Sequence, residues 1–275
     1  MDNTTGFHAL LEQITRTTHD LWIKGWAERN AGNISVRLAP DQIPGNPEKN
    51  SEWVACGFDA PELGGELFLF SGTGCYMRNV ALHPECHLGV VELDGAGRRF
   101  RRVWGFTGGG RPTSEIAPHL RAHGARLQAS GGADRVVMHA HTPCVIALTH
   151  CLDLDTARLT RLLWEMHTEC IVVFPDGCGY IPWQLPGSLA LGDATAEELR
   201  KRPMAVWQFH GTVGTGPDID TVLGLMDTAE KAAQLYNLAA AAGGVRNKLS
   251  TEQLTTLARA FHVTPDPDIL GAIQS

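Results

Sequence analysis

What this sequence has little of already narrows its chemistry. Lysine is scarce: Lys24, Lys49, Lys201, Lys231 and Lys248 are the only five among 275 residues, and none sits in an apolar strand. An amine nucleophile that forms a Schiff base must be desolvated, so lysine-based covalent catalysis is excluded. There is no basic block, and the net charge of -7 leaves no surface suited to a phosphate backbone; nucleic acid is not an expected partner. No apolar run approaches the length of a signal h-region or a membrane span, and the start Met1-Asp2-Asn3-Thr4-Thr5 is polar, so the chain is expected to stay in the cytosol, away from membranes. Seven cysteines (Cys56, Cys75, Cys86, Cys144, Cys151, Cys170, Cys178) are odd in number, scattered and never spaced C-x-x-C. Neither a disulfide framework nor a thiolate metal site follows, and the thiols are expected to be reduced and mostly buried. Both glycine-rich nucleotide fingerprints, the P-loop and the G-x-G-x-x-G turn after a strand, are missing, which removes nucleotides as the default ligand.

What is present is apolar material for a substantial core, 43% of the chain. Phe7, Leu10, Leu11, Ile14, Leu21, Trp22 and Trp26 recur at helical spacing and predict an amphipathic helix over about residues 5–28. A short alternating strand over 34–38 follows, then an irregular excursion from Pro40 to Gly65. Strands are expected at 66–70, 87–93 and 98–104, the last two paired across Asp94-Gly95-Ala96-Gly97. A helix should begin near Ser114, and a strand over 136–141 should give way to a helix at Thr142-Pro143. Helices at about 156–167, 194–201, 219–242 and 251–261, with strands at 171–174 and 204–209, complete the reading. Hairpins mixed with helices, without regular βαβ alternation, favour a mixed sheet covered by helices over a TIM barrel or a Rossmann fold. No linker, repeat or low-complexity segment divides the chain, so 1–275 reads as one domain.

In Met138-His139-Ala140-His141 the histidines are one residue apart on a strand, so both side chains leave the same face and can grip one ion. A hydrogen-bonded or solvated pair is the plainer reading of that spacing. His210, after the apolar strand 204–209, adds an imidazole at a strand end, where alone it would read as a satisfied histidine. Glu115 follows Pro112-Thr113-Ser114 at an expected helix start, where a carboxylate ordinarily just complements the dipole. Together, three neutral imidazoles and one displaceable carboxylate suit zinc and leave room for substrate oxygens. Asn30-Ala31-Gly32-Asn33, Ser71-Gly72-Thr73-Gly74 and Thr113-Ser114 are segments of small polar residues beside element ends, able to cradle a phosphate with backbone N–H groups and hydroxyls. Each alone is as well read as a turn.

Five segments carry a more specific signal: Gly25-Trp26-Ala27-Glu28-Arg29-Asn30-Ala31-Gly32-Asn33, Pro112-Thr113-Ser114-Glu115, Met138-His139-Ala140-His141, the run from Thr168 to Gly177, and Phe209-His210-Gly211. With them the chain resembles the class II sugar-phosphate aldolases over nearly its whole length, the Pro40–Gly65 stretch excepted. The resemblance implies an α/β fold of α+β type, three αβα layers around a mixed, largely antiparallel sheet, and a homotetramer with ring symmetry and active sites at subunit boundaries. It implies Zn2+ held by His139, His141 and His210, with Glu115 alternating between ligand and base. It also implies phosphate binding by Asn30, Gly32, Asn33, Thr73, Thr113 and Ser114, and a catalytic Glu169 delivered from the neighbouring subunit; from the residues alone Glu169 reads as a surface carboxylate at a helix end. The implied reaction is reversible cleavage of L-rhamnulose 1-phosphate to dihydroxyacetone phosphate and L-lactaldehyde, in L-rhamnose catabolism. An aldolase for a related ketose phosphate, a 4-epimerase using the same retro-aldol step, a metal-free binding domain and a zinc hydrolase remain open alternatives.

Overall fold

The computed structural model describes residues 3–48 and 51–271; the polar start at Met1-Asp2 and Lys49 lie outside them. The first helix, α1 (Asn3–Ile23), stops five residues short of its expected end. Gly25 takes a left-handed φ of 74°, Gly25 N donates to Trp22 O and Trp26 N to Leu21 O, a Schellman cap that turns the chain and buries Trp26 beneath the helix end. The apolar period continued through Trp26, which is why sequence periodicity overran the stop.

Nine strands follow among the described residues: β1 (Asn33–Arg37), β2 (Val54–Ala55), β3 (Leu67–Ser71), β4 (Leu88–Leu93), β5 (Arg99–Gly105), β6 (Val136–Ala140), β7 (Gly179–Ile181), β8 (Met204–Trp207) and β9 (Gly211–Gly216). They form one sheet in the order β2-β5-β4-β3-β1-β6-β9-β8-β7, antiparallel throughout except for the parallel β7–β8 pair. The further helices are α2 (Pro84–His87), α3 (Ile116–Ala129), α4 (Pro143–Cys151), α5 (Thr156–Met166), α6 (Cys170–Val173), α7 (Leu189–Leu199), α8 (Ile219–Ala241), α9 (Thr251–Ala260) and α10 (Pro267–Gly271). Among its described residues, the 40–65 excursion holds only β2 and two 3-10 turns.

Alternation along the strands divides the core into two layers. Ile34, Val36, Val136 and Met138 point to one face, against α1 and α8; Val137, Ala205, Trp207 and Val213 point to the other, against α3 and α7. The result is the expected three-layer mixed sheet. All seven cysteines are free thiols, but fewer are buried than expected: Cys75, Cys170 and Cys178 are buried, Cys56 and Cys144 half-buried, and Cys86 and Cys151 exposed.

Two readings fail. The run Ile171–Phe174 is not a strand: Cys170–Val173 is a helical turn, with Val173 N donating to Glu169 O and Phe174 N to Cys170 O. Its β-branched residues have no strand beside them to pair with, and packing of Cys170 and Ile171 into the α5–α8 core decides the conformation. The strand β9 went unnoticed because three of the six residues in Gly-Thr-Val-Gly-Thr-Gly are glycine, which is depleted in strands. The glycine at 214 suits the close approach of α8, since a Cβ there would lie 3.1 Å from side-chain atoms of Val222 and Met226.

Candidate metal centre

The centre lies on the α3–α7 face of the sheet, where β1, β6 and the β8–β9 turn come together. Antiparallel register sets Asn33 of β1 opposite His139 of β6. His141 follows the end of β6, its backbone N–H donating to Trp26 O. His210 occupies the three-residue turn closing β8 onto β9, a turn that Phe209 completes with a left-handed φ of 62°. One ligand nitrogen from each of His139, His141 and His210 lies within 4.8 Å of the others.

Glu115 arrives from the opposite direction. The helix α3 begins at Ile116, close to the start expected near Ser114, and Glu115 sits at its cap position without capping it. Its carboxylate turns inward instead and is buried, with Oε2 3.9 Å from His139 Nε2 and Oε1 3.7 Å from His210 Nε2. The dipole-complementing role that spacing alone suggested is therefore overridden by tertiary position.

Each imidazole is oriented from behind. His139 donates through Nδ1 to the Thr212 carbonyl at 3.0 Å, and His141 through Nδ1 to Glu28 Oε1 at 2.7 Å, which turns both Nε2 lone pairs toward the shared centre. The Trp207 ring lies 4.4 Å from that of His139 and stacks at 5.3 Å on that of His210, while its Nε1 donates to Thr195 Oγ1. Burial holds His139 well below its ordinary range, with the His210 and His141 rings adding to the effect; burial, then His141, lowers His210 to about 4. His139 and His210 are therefore neutral, with free lone pairs. Burial raises Glu115, opposed by the hydrogen bond from Asn33 and the charge of His141.

His139 Nε2 is fully buried and has no hydrogen-bond partner in the protein. An orphaned buried nitrogen facing two further imidazoles and a carboxylate is the signature of an ion site, and this donor set fits a divalent metal. Glu28 and the Thr212 carbonyl were not singled out in the sequence. The hydrogen bonds they make span 113 and 73 residues, and no local pattern announces them.

Glu28, Arg29, Asn30 and Gly32 line a cleft of about 310 Å3 over the centre. Arg29 brings a guanidinium to this cleft. The Ser71–Gly74 and Pro112–Ser114 segments are joined by a bridge between Gly72 and Pro112, with Thr73 N donating to Arg111 O and Thr113 N to Ser71 O. Those two amides are spent, which leaves the exposed Thr73 and Ser114 side chains as free donors. Asn33 Nδ2 donates to Glu115 Oε2 at 2.8 Å, so this side chain serves the carboxylate. Glu169 is exposed at the start of α6 and is not among the residues lining the cleft of its own chain.

The family model for the class II aldolase and adducin N-terminal domain matches residues 12–237. The rhamnulose-1-phosphate aldolase of Mannheimia succiniciproducens is 42% identical over 263 residues, 94% of this chain and 97% of the relative. That of Pectobacterium carotovorum is 45% identical over 260 residues, covering 93% and 94%. Among solved structures, a sugar-phosphate aldolase from Thermotoga maritima superposes with a TM-score of 0.76 at 27% identity, over 86% of this chain and 97% of the other.

Proposed function

The chain belongs to the class II aldolase and adducin N-terminal domain family, and we propose that it is a zinc-dependent aldehyde-lyase that reversibly cleaves L-rhamnulose 1-phosphate into dihydroxyacetone phosphate and L-lactaldehyde. The observation that carries this reading is the trio His139, His141 and His210, the first buried and the other two half-buried, faced by the Glu115 carboxylate. These four residues would hold Zn2+. When bound, the ion supplies Lewis-acid stabilisation of negative charge on the ketose oxygens as the C–C bond breaks.

Glu115 is the base. In the synthetic direction its ionised carboxylate takes a proton from the carbon beside the carbonyl of dihydroxyacetone phosphate; in cleavage it returns that proton. Burial and the Asn33 hydrogen bond pull its proton affinity in opposite directions, which suits a group that must both accept and release a proton. Asn30, Gly32, Asn33, Thr73, Thr113 and Ser114 receive the phosphate through neutral donors, with Arg29 lining the cleft beside Asn30, Gly32 and Asn33. Glu169 protonates the aldehyde oxygen from a neighbouring subunit of a homotetramer, a reading supported by its exposure away from the cleft of its own chain. One domain spanning 1–275, acting in the cytoplasm in L-rhamnose catabolism, completes the proposal.

The test is a coupled assay for dihydroxyacetone phosphate from L-rhamnulose 1-phosphate, run on zinc-loaded and chelator-treated protein beside L-fuculose 1-phosphate. Zinc-dependent release favouring rhamnulose is expected. Preference for fuculose would overturn the substrate, and release of dihydroxyacetone phosphate from neither ketose would overturn the reaction.

A further inference from the structure

Behind Glu115 the α3–α7 face contains a row of polar groups that packing does not require. Asn33 Nδ2 donates to Glu115 Oε2; Asn33 Oδ1 contacts His119 Nε2; His119 Nδ1 lies 2.6 Å from Ser35 Oγ; and Ser35 Oγ lies 2.8 Å from His123 Nε2. All five side chains are buried, and those of Ser35 and His119 are wholly inaccessible. Asn33 and Ser35 come from β1, His119 and His123 from successive turns of α3, so strand and helix are joined by hydrogen bonds where neighbouring residues are joined by hydrocarbon.

The direction of the chain is forced. An ionised carboxylate only accepts, so Asn33 presents its NH2 to Glu115 and its carbonyl to His119. His119 must then donate from Nε2, leaving Nδ1 to accept from the Ser35 hydroxyl, whose oxygen accepts from His123 Nε2–H. Both rings are neutral: burial lowers His119 to about 3, and burial followed by the charges of His119, Arg37 and Arg135 holds His123 well below its ordinary range. Every donor therefore points toward Glu115. Buried polar groups carry a desolvation cost, and a row of them in one register defines a single arrangement.

We propose that His119, Ser35 and His123 are positioning residues for Glu115, acting through Asn33: the chain dictates which end of the Asn33 amide meets the carboxylate. Without the His119 donor the amide is free to rotate and oppose its own oxygen to Glu115, and the carboxylate loses its placement when substrate displaces it. The inference rests on the role proposed for Glu115 as base.

The experiment compares zinc-loaded wild type, His119→Leu, Asn33→Ala, the double variant and His119→Gln. The readouts are solvent-deuterium exchange into saturating dihydroxyacetone phosphate, its KM, zinc content and the thermal midpoint. His119→Leu is expected to slow exchange about 30-fold, the scale of one lost hydrogen bond to a charged group, with zinc content unchanged and KM moved less than about 3-fold. On the Asn33→Ala background it should add less than about 2-fold, since two members of one chain do not add. His119→Gln, which keeps an N–H donor, should return to within about 3-fold of wild type. Wild-type exchange in His119→Leu, or losses that multiply in the double variant, would overturn the relay. If His119→Leu fails to fold, Ser35→Ala removes a single oxygen from β1; a loss of about 5-fold that vanishes on the Asn33→Ala background supports the relay, and a wild-type rate or a multiplying loss overturns it. Wild-type protein without exchange would overturn the role of Glu115 and the relay with it, whereas active wild type with an indifferent His119 variant overturns the relay alone.

Discussion

The two faces of β1 and β6 are built from alternating residues of the same short segments, yet they do different work. Toward α1 and α8 point Ile34, Val36, Val136, Met138 and Ala140, packed on Leu10, Ile14, Val222 and Met226 without a polar atom from the strand side chains. Toward α3 point Asn33, Ser35 and His139, all buried and each hydrogen-bonded to a named partner. One face gains stability by removing hydrocarbon from water; the other holds polar groups at fixed positions at some cost to stability. Because the side-chain period is two, a single strand can supply both, and neighbouring residues should fail in different ways when replaced.

The largest effect is expected on the polar face. His139→Ala removes a lone pair that nothing else in the fold replaces, so zinc content by atomic emission should collapse and cleavage should fall on the order of 10³-fold or more. Full zinc retention would move the ion away from β6. Glu115→Ala comes next: three imidazoles remain, so zinc should be better retained than in His139→Ala, while proton exchange on dihydroxyacetone phosphate falls by about 10²- to 10⁴-fold, the contribution of a positioned base. Exchange at the wild-type rate would remove Glu115 as the base.

One residue along from Asn33, Ile34→Ala should invert the pattern. Ile34 is fully buried against the α1 layer, and truncation should cost about 2–5 kcal/mol of stability, read as a lower urea midpoint. Zinc content and turnover in the folded fraction should stay near wild type. A variant that kept its stability but lost metal would erase the distinction between the faces.

The same contrast explains what was legible in the sequence. Apolar alternation and helical periodicity located most elements, because burial against a layer is written residue by residue. His139 and His141 were legible for the same reason: their spacing of two puts them on one face whatever the rest of the chain does. Glu115 and His210 were read as ligands only alongside them, since a carboxylate at a helix start and a histidine after a strand have commoner roles. Glu28, Thr212 and the buried pair His119 and His123 were not singled out, because their partners lie 73 to 113 residues away and only the register of β1, β6 and β9 brings them together. The helical turn at Cys170–Val173 was misread in the opposite sense: its local pattern was strong, and the tertiary setting overruled it.

The smallest effect distinguishes orientation from ligation. Glu28 touches His141 Nδ1 from the open side of the centre, and 63% of its side chain is exposed, whereas the Thr212 carbonyl holds His139 from inside the sheet. Loss of such an orienting partner weakens metal binding by about 10- to 100-fold, and an exposed position falls at the low end, because water can take over the hydrogen bond. Glu28→Ala should therefore raise the zinc dissociation constant about 10-fold in competition with a chelating dye, with turnover at saturating zinc close to wild type. A larger loss would mean that the exposed carboxylate fixes the centre no less firmly than the buried face does. An unchanged constant would mean that the end of β6 alone aims His141, and that the division between a stabilising and a positioning face stops at the sheet.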